Sequence, residues 1–376
     1  VWEGLFLRQN WALTKSWKFF ALGAKGENEV NPQRLLNSDS LLASSYTFHD
    51  VEGWFGSGDS SRISWRMFYR WRLDELPDAT ELREASVAHH AGMQAAIKGA
   101  KGNRLDLTVT WRELNILDSS LTNVQAASNI LTRADYQASW FKQAIKLDLF
   151  YETGAGLENQ RDYQFIPSLN GLGDFVWIDY NKDGLQARDE FEPRSGTVTG
   201  TDGLSYVRVW LPTNEYVRAW FNRFTGQLNL RSPAAWKKKE SAWWKRALHR
   251  ASSQTVFRTD RKTATDQPTE VLNPLPPDIR DTNLLSIQYQ FRQSLYWNRF
   301  GGDLSLEYTW QEHMRQSLLS GGRELQSQAG HLGRVRWSFH KYWTLETEGR
   351  LGNRSRRADL LRNREFELKE ASVEPK

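Results

Sequence analysis

Arg62-Ile63-Ser64-Trp65-Arg66-Met67-Phe68-Tyr69-Arg70-Trp71-Arg72-Leu73 decides the fold. Ile63, Trp65, Met67, Tyr69, Trp71 and Leu73 take the odd positions, and Arg62, Ser64, Arg66, Arg70 and Arg72 the even ones; Phe68 is the one exception. Successive side chains point to opposite sides of a β-strand, so this period of two gives one apolar and one basic face. The run is also long. Soluble sandwiches use strands of about five or six residues, whereas a tilted strand crossing a bilayer needs about nine to eleven.

The same pattern recurs to either side. Leu105, Leu107, Val109 and Trp111 alternate with Asp106, Thr108, Thr110 and Arg112, and Ile145, Leu147, Leu149 and Tyr151 with Lys146, Asp148 and Glu152. Further on, Val207, Val209 and Leu211 flank Arg208, and Val217, Ala219 and Phe221 flank Arg218. Leu285, Ile287, Tyr289 and Phe291 oppose Ser286, Gln288, Gln290 and Arg292. A Gly-Gly turn then returns the chain through Leu304, Leu306, Tyr308 and Trp310, which predicts a hairpin. Gly333, Val335, Trp337 and Phe339 form one more run, a turn follows near residues 340–343, and the last strand falls near residues 365–369. Helical periodicity is not sustained anywhere over such lengths. Three stretches interrupt the alternation. Residues 77–101 read as a loop with a short helix, 232–250 as a basic, tryptophan-rich loop or rim helix, and 263–280, with Pro268, Pro274, Pro276 and Pro277, as an extended connection.

Composition narrows the class. The 376 residues include 18 Trp, 18 Phe and 12 Tyr, an aromatic share suited to rings at a membrane–water boundary. Mean hydropathy is −0.67, and no apolar run is long enough for a membrane helix, which leaves open a barrel of alternating strands. A net charge of +5, from 50 Lys+Arg against 45 Asp+Glu, is mixed, and arginine on alternate positions is the polar face of a sheet, so nucleic acid is not expected as a partner. With no cysteine, thiol catalysis, disulfides and Cys-zinc sites are excluded. The pair His89-His90 cannot share a strand face. A Gly-x-Ser-x-Gly elbow, a Walker loop and a dinucleotide fingerprint are all missing, so no enzymatic activity and no catalytic residue are expected. The chain begins Val1-Trp2 and ends at Lys376, which reads as a segment of a longer protein or a mature chain without its leader.

One stretch carries chemistry. Asp179-Tyr180-Asn181-Lys182-Asp183-Gly184-Leu185-Gln186-Ala187-Arg188-Asp189-Glu190 fits the calcium-loop pattern D-x-[DN]-x-[DN]-G-x5-E at every specified position. A hard cation wants six to eight oxygens. Asp179, Asn181 and Asp183 offer side-chain oxygens, Leu185 its carbonyl and Glu190 both carboxylate oxygens, while Gly184 permits the sharp turn. The flanks are not those of a helix–loop–helix hand: residues 174–178 read as a strand, and Pro193 discourages an exit helix. A structural Ca2+ is expected, rather than a sensor site.

Residues 173–192, with the later Val207-Arg208-Val209-Trp210-Leu211-Pro212-Thr213-Asn214-Glu215-Tyr216-Val217, resemble an uncharacterised family of surface and outer-membrane proteins of Bacteroidota. The likeness covers about residues 130–310 and implies an outer-membrane β-barrel with no defined enzymatic activity. The chain departs from such barrels in ending on Lys376 instead of an aromatic residue.

The expectation is therefore an all-β protein, a long antiparallel meander forming all or part of an outer-membrane β-barrel, with few short helices. Residues 1–153 and 201–376 would be β segments of the same sheet and 154–200 a calcium-loop insertion. The expected role is structural or transport-related in the outer membrane or at the cell surface, with membrane lipid and envelope assembly or secretion proteins as partners. A soluble surface module, binding glycans or adhesion partners through exposed aromatics, is the alternative.

Overall fold

In the computed structural model, residues 2–58, 62–168, 173–194, 200–233, 236, 242–264, 284–299, 301, 303–319, 322–358 and 365–375 are described. The chain is all-β, an antiparallel meander as the alternation predicts. It divides into two compact units: Val1–Trp140 with Lys146–Ala155, and Phe141–Ile145 with Gly156–Lys376.

The first unit holds β1 (Trp2–Gly4), β2 (Leu7–Ser16), β3 (Phe20–Asn31), β4 (Gln33–Leu35), β5 (Tyr46–Ser57), β6 (Ile63–Asp78), β7 (Glu81–Lys98), β8 (Arg104–Ile116), β9 (Ala127–Trp140) and the first part of β10 (Ile145–Pro167). Strands β1 and β4 pair only with each other, and β2-β3-β5-β6-β7-β8-β9 are hydrogen-bonded neighbours in that order. Residues 77–101 do not form the expected loop and short helix. Strand β6 runs through Pro77, turns at Ala79 (φ 52°) and returns as β7; the only helical turn is Ala100–Gly102. The helix-forming alanines mislead because here their small size matters more than propensity. Ala91 lies opposite Tyr69 and Ala95 opposite Trp65, where a bulky pair would crowd.

Phe68, the exception in the deciding stretch, has a similar explanation. Its ring lies over Gly92 of β7, so that a Cβ built there would come within 2.5 Å of it. The ring covers backbone that the glycine leaves bare.

The second unit continues β10 and adds β11 (Phe175–Trp177), β12 (Phe191–Pro193), β13 (Tyr206–Arg231), α1 (Trp243–Leu248), β14 (Ala251–Thr263), β15 (Leu284–Trp297), β16 (Leu304–Leu319), β17 (Gly322–His340), β18 (Trp343–Ala358) and β19 (Phe366–Pro375). Strands β13 to β19 pair in sequence order. The expected hairpin is β15–β16, with Trp297 opposite Leu306. Of 232–250, Trp236 and the short α1 are described; residues 265–283, which hold the four prolines, lie outside the described residues.

The two faces of the strands are unusual in their exposure. In the second unit, Leu295, Tyr308, Val335, Trp337 and Leu345 share one face and are exposed, Leu295 by 48% and Trp337 by 49%. The opposite face carries a rung of charge across β16, β17 and β18. Arg334 pairs with Glu307 at 3.3 Å and with Glu348 at 2.8 Å, and Glu348 is only 1% exposed. The first unit repeats this. Phe55, Ile63, Met67 and Tyr69 are exposed, while Asp50 and Glu52 are buried against Arg70 and Arg66. In a water-soluble sheet the apolar face is the covered one.

Aromatic side chains also collect at strand ends. At the β2–β3 and β5–β6 turn end of the first unit, Trp17 stacks on Phe20 at 4.7 Å, Phe20 meets Phe55 at 5.9 Å, and Phe55 meets Trp65 edge-on at 5.2 Å. The second unit gathers Trp236, Trp244, Trp297, Tyr342 and Trp343 at the ends joined by its short β15–β16 and β17–β18 turns. Lysine and arginine accompany them: Lys18 over Phe19, Lys341 over Tyr342 and Arg299 over Tyr296.

Candidate metal centre

Strands β11 and β12 pair antiparallel, Trp177 opposite Phe191 and Val176 opposite Glu192, so residues 178–190 are the loop of a hairpin. Local chemistry shapes it. Asn181 Oδ1 accepts from the Asp183 amide at 2.9 Å, and Asp183 Oδ1 from the Leu185 amide at 2.7 Å, two successive turns closed by side chains. Lys182 (φ 58°) and Gly184 (φ 72°) both take the left-handed conformation, which glycine adopts at no steric cost. Asp179 Oδ2 accepts from the Gly184 amide at 3.0 Å and folds the loop over its own start. A single 3-10 turn, Arg188–Glu190, leads into β12, and the Ile178 amide donates to the Glu190 carbonyl at 2.8 Å.

This geometry brings Asp179, Asp183 and Glu190 together, with one carboxylate oxygen of each within 4.8 Å of the others. Asn181 sits between them, its amide donating to Asp183 Oδ2 at 2.9 Å; the Leu185 carbonyl accepts from the Ala187 amide at 3.1 Å. Glu190 is 3% exposed, and its Oε2 accepts from the Trp177 indole at 2.9 Å and the Ala187 amide at 3.2 Å. Among the described residues none of the three carboxylates forms an ion pair, and Asp179 Oδ1 is buried with no hydrogen-bond partner. Three negative charges this close, one of them buried, are costly without a counter-charge. A divalent cation among them would supply it, and the all-oxygen donor set selects a hard ion such as Ca2+ or Mg2+. The three carboxylates sit on a bent loop, a setting that would suit Ca2+ better, because Mg2+ keeps much of its water and demands near-octahedral geometry.

The hairpin is docked on the second unit by contacts that the spacing of the motif does not reveal. Phe165 of β10 stacks on Phe191 at 4.0 Å and meets Phe175 at 5.1 Å, while Phe191 meets Tyr206 edge-on at 4.9 Å. Arg188 forms a two-pronged pair with Asp162 of β10. Gln186 donates to the Tyr206 hydroxyl at 2.6 Å, and that hydroxyl donates to Asp202. The Asp179 amide donates to Thr201 Oγ1 at 2.9 Å. On the outer side, the Tyr180 hydroxyl donates to Glu192, and this hydrogen bond raises its pKa above the ordinary phenol value.

His89 and His90 fall on opposite faces, His89 Nδ1 meeting the Tyr69 hydroxyl at 2.7 Å. No family model, curated protein or solved structure matches the chain.

Proposed function

We propose that this chain forms wall strands of an outer-membrane β-barrel, in a structural or transport role, with a Ca2+ ion bracing the β11–β12 hairpin outside the bilayer. One observation carries the membrane reading: the exposed face is the apolar one, and the covered face is the charged one. Lipid makes an exposed row of Leu, Trp and Val favourable, and a water-filled or plugged interior suits paired Arg and Glu. The long strands β5 to β9 and β14 to β18, from 12 to 19 residues each, are sufficient to cross. Aromatic rings with lysine and arginine beside them at the strand ends match the interfacial girdle of such proteins. Closure follows from physics, since a strand edge left open in hydrocarbon would expose unpaired amides and carbonyls.

Calcium adds order where the strands no longer support one another. Extracellular modules of this kind bind with Kd of roughly 10⁻⁴–10⁻³ M, enough for a structural ion outside the cell. The decisive test is fractionation of cells making the parent protein, followed by alkaline wash and gel mobility with and without boiling. Retention in the outer membrane with heat-modifiable mobility is expected; release as a soluble protein would overturn the reading and favour the surface module. Val51→Arg, which puts a charge on the exposed apolar face in the middle of β5, at a cost of about 2–4 kcal/mol near mid-bilayer, should impair insertion into vesicles. A soluble module would fold normally with that change.

A further inference from the structure

The apolar face of the second unit is not uniform. Tyr308, Gly333 and Gly349 lie opposite one another across β16, β17 and β18, and the two glycines leave a depression: a Cβ added at either would meet nothing within 4 Å. Of the two, Gly333 lines an open, largely apolar groove of about 620 Å3, together with Leu230, Leu295, Leu306, Tyr308 and Val335 and with Trp236 and Leu248. That volume falls within the range of roughly 300–1,000 Å3 typical of small-ligand sites. A second pocket of mixed lining adjoins it and shares Arg231, Ser232, Ala251 and Ser252. Its rim is basic, formed by Arg231, His249, Arg250 and Arg299 with Asn298.

The basic rim is held in place. Ser232 Oγ donates to the His249 carbonyl at 2.7 Å, the Asn298 amide donates to the Arg250 carbonyl at 2.8 Å, Arg250 lies over Trp297 and Arg299 over Tyr296. Arg250 has no carboxylate partner among the described residues. Apolar groove and cationic rim lie end to end at the strand ends where the interfacial aromatics collect.

We propose that this composite site holds one anionic membrane lipid, an acyl chain in the glycine-floored groove and the phosphate on the arginine rim. Guanidinium groups bind phosphate oxygens through paired, charge-assisted hydrogen bonds, and a chain lying in the groove covers apolar surface that the strands leave bare. The site rests on the membrane reading above, because only a bilayer brings lipid to this face.

The test is refolding of the full chain into phosphatidylcholine vesicles with and without phosphatidylglycerol, a check of folding by heat-modifiable mobility, and native mass spectrometry of the lipid retained. Folded protein should keep one phosphatidylglycerol in preference to phosphatidylcholine by roughly tenfold, because both bring a phosphate but the choline ammonium sets a like charge against the arginines. Gly333→Trp, which fills the groove, and the double change Arg250→Gln with Arg299→Gln, which strips the rim, should each abolish that preference. Equal retention of the two lipids by folded wild type would overturn the site while leaving the membrane reading intact. A preference lost in the arginine variant but kept in Gly333→Trp would assign the rim to phosphate alone and overturn the lipid. Failure of wild type to insert would overturn the membrane reading and this site with it.

Discussion

Two regions of the second unit crowd carboxylates, and they balance the charge differently. On the strand face, Glu307, Glu346 and Glu348 surround Arg334 at 3.3, 3.5 and 2.8 Å, and Arg350 closes the rung on Glu348. In the β11–β12 hairpin, Asp179, Asp183 and Glu190 approach within 4.8 Å and, among the described residues, meet no cation at all. The rung is built from side chains fixed on paired strands, so its counter-charges come from the fold. In the hairpin loop, among the described residues, backbone amides, the Asn181 side-chain amide and an indole donate to the trio, and they orient carboxylate oxygens without neutralising them. Arginine stands beside the buried acids of the strands, yet beside none of this trio among the described residues, a contrast that supports the counter-ion proposed above.

The largest expected effect breaks the rung. Arg334→Ala takes one guanidinium from buried Glu348, with Arg350 still beside it, and removes the Arg334 contact of Glu307. Removing one member of a buried pair costs about 3–5 kcal/mol, and the surviving Arg350 argues for about 3. The loss should appear in urea unfolding of the refolded protein and be the same with calcium or with chelator. A cost below about 1 kcal/mol would make the rung an ordinary solvated pair.

Next in size comes the hairpin, where the effect should depend wholly on the ion. Calcium at about 100 times its Kd should stabilise wild type by about 2.7 kcal/mol, and Glu190→Gln or Asp183→Asn, which keeps the oxygen that accepts from the Leu185 amide, should remove that gain. In chelator both variants should match or exceed wild type, because each removes one of three crowded negative charges. If the same destabilisation appears in chelator, the trio is held together by the loop alone and needs no ion.

What the sequence reveals follows the range of the interactions. The strands are legible because alternation is local, and the acidic trio because the spacing of a single loop sets it: Asp179, Asp183 and Glu190 lie on one turn-rich segment that folds on itself. Residues 77–101 mislead because Ala91 and Ala95 answer to Tyr69 and Trp65 on another strand, which no propensity contains. For the same reason Phe68 breaks the pattern until Gly92 is seen beneath it. The docking of the hairpin through Arg188–Asp162, Gln186–Tyr206–Asp202 and Phe165–Phe191 joins residues distant in the chain, and only the folded structure assembles them.

The smallest effect separates the frame of the hairpin from its ligands. Tyr180 donates to Glu192, which lies outside the trio, and its raised pKa means that the folded state favours the protonated phenol. A group whose pKa is higher folded than unfolded contributes in full below the unfolded value, near 10 for tyrosine, and loses that contribution as pH climbs through the folded value. The stability difference between wild type and Tyr180→Phe should therefore stay constant up to about pH 10 and close above it. A paired ultraviolet titration of the two proteins should show the missing phenol ionising above the ordinary tyrosine value. The calcium gain should survive the change undiminished, since no ligand is touched. A Tyr180→Phe protein that lost its calcium response would mean that the hairpin needs this outer hydrogen bond to hold the trio together, and the contrast between a rung braced by its own arginines and a loop braced by an ion would shift to one between two side-chain networks.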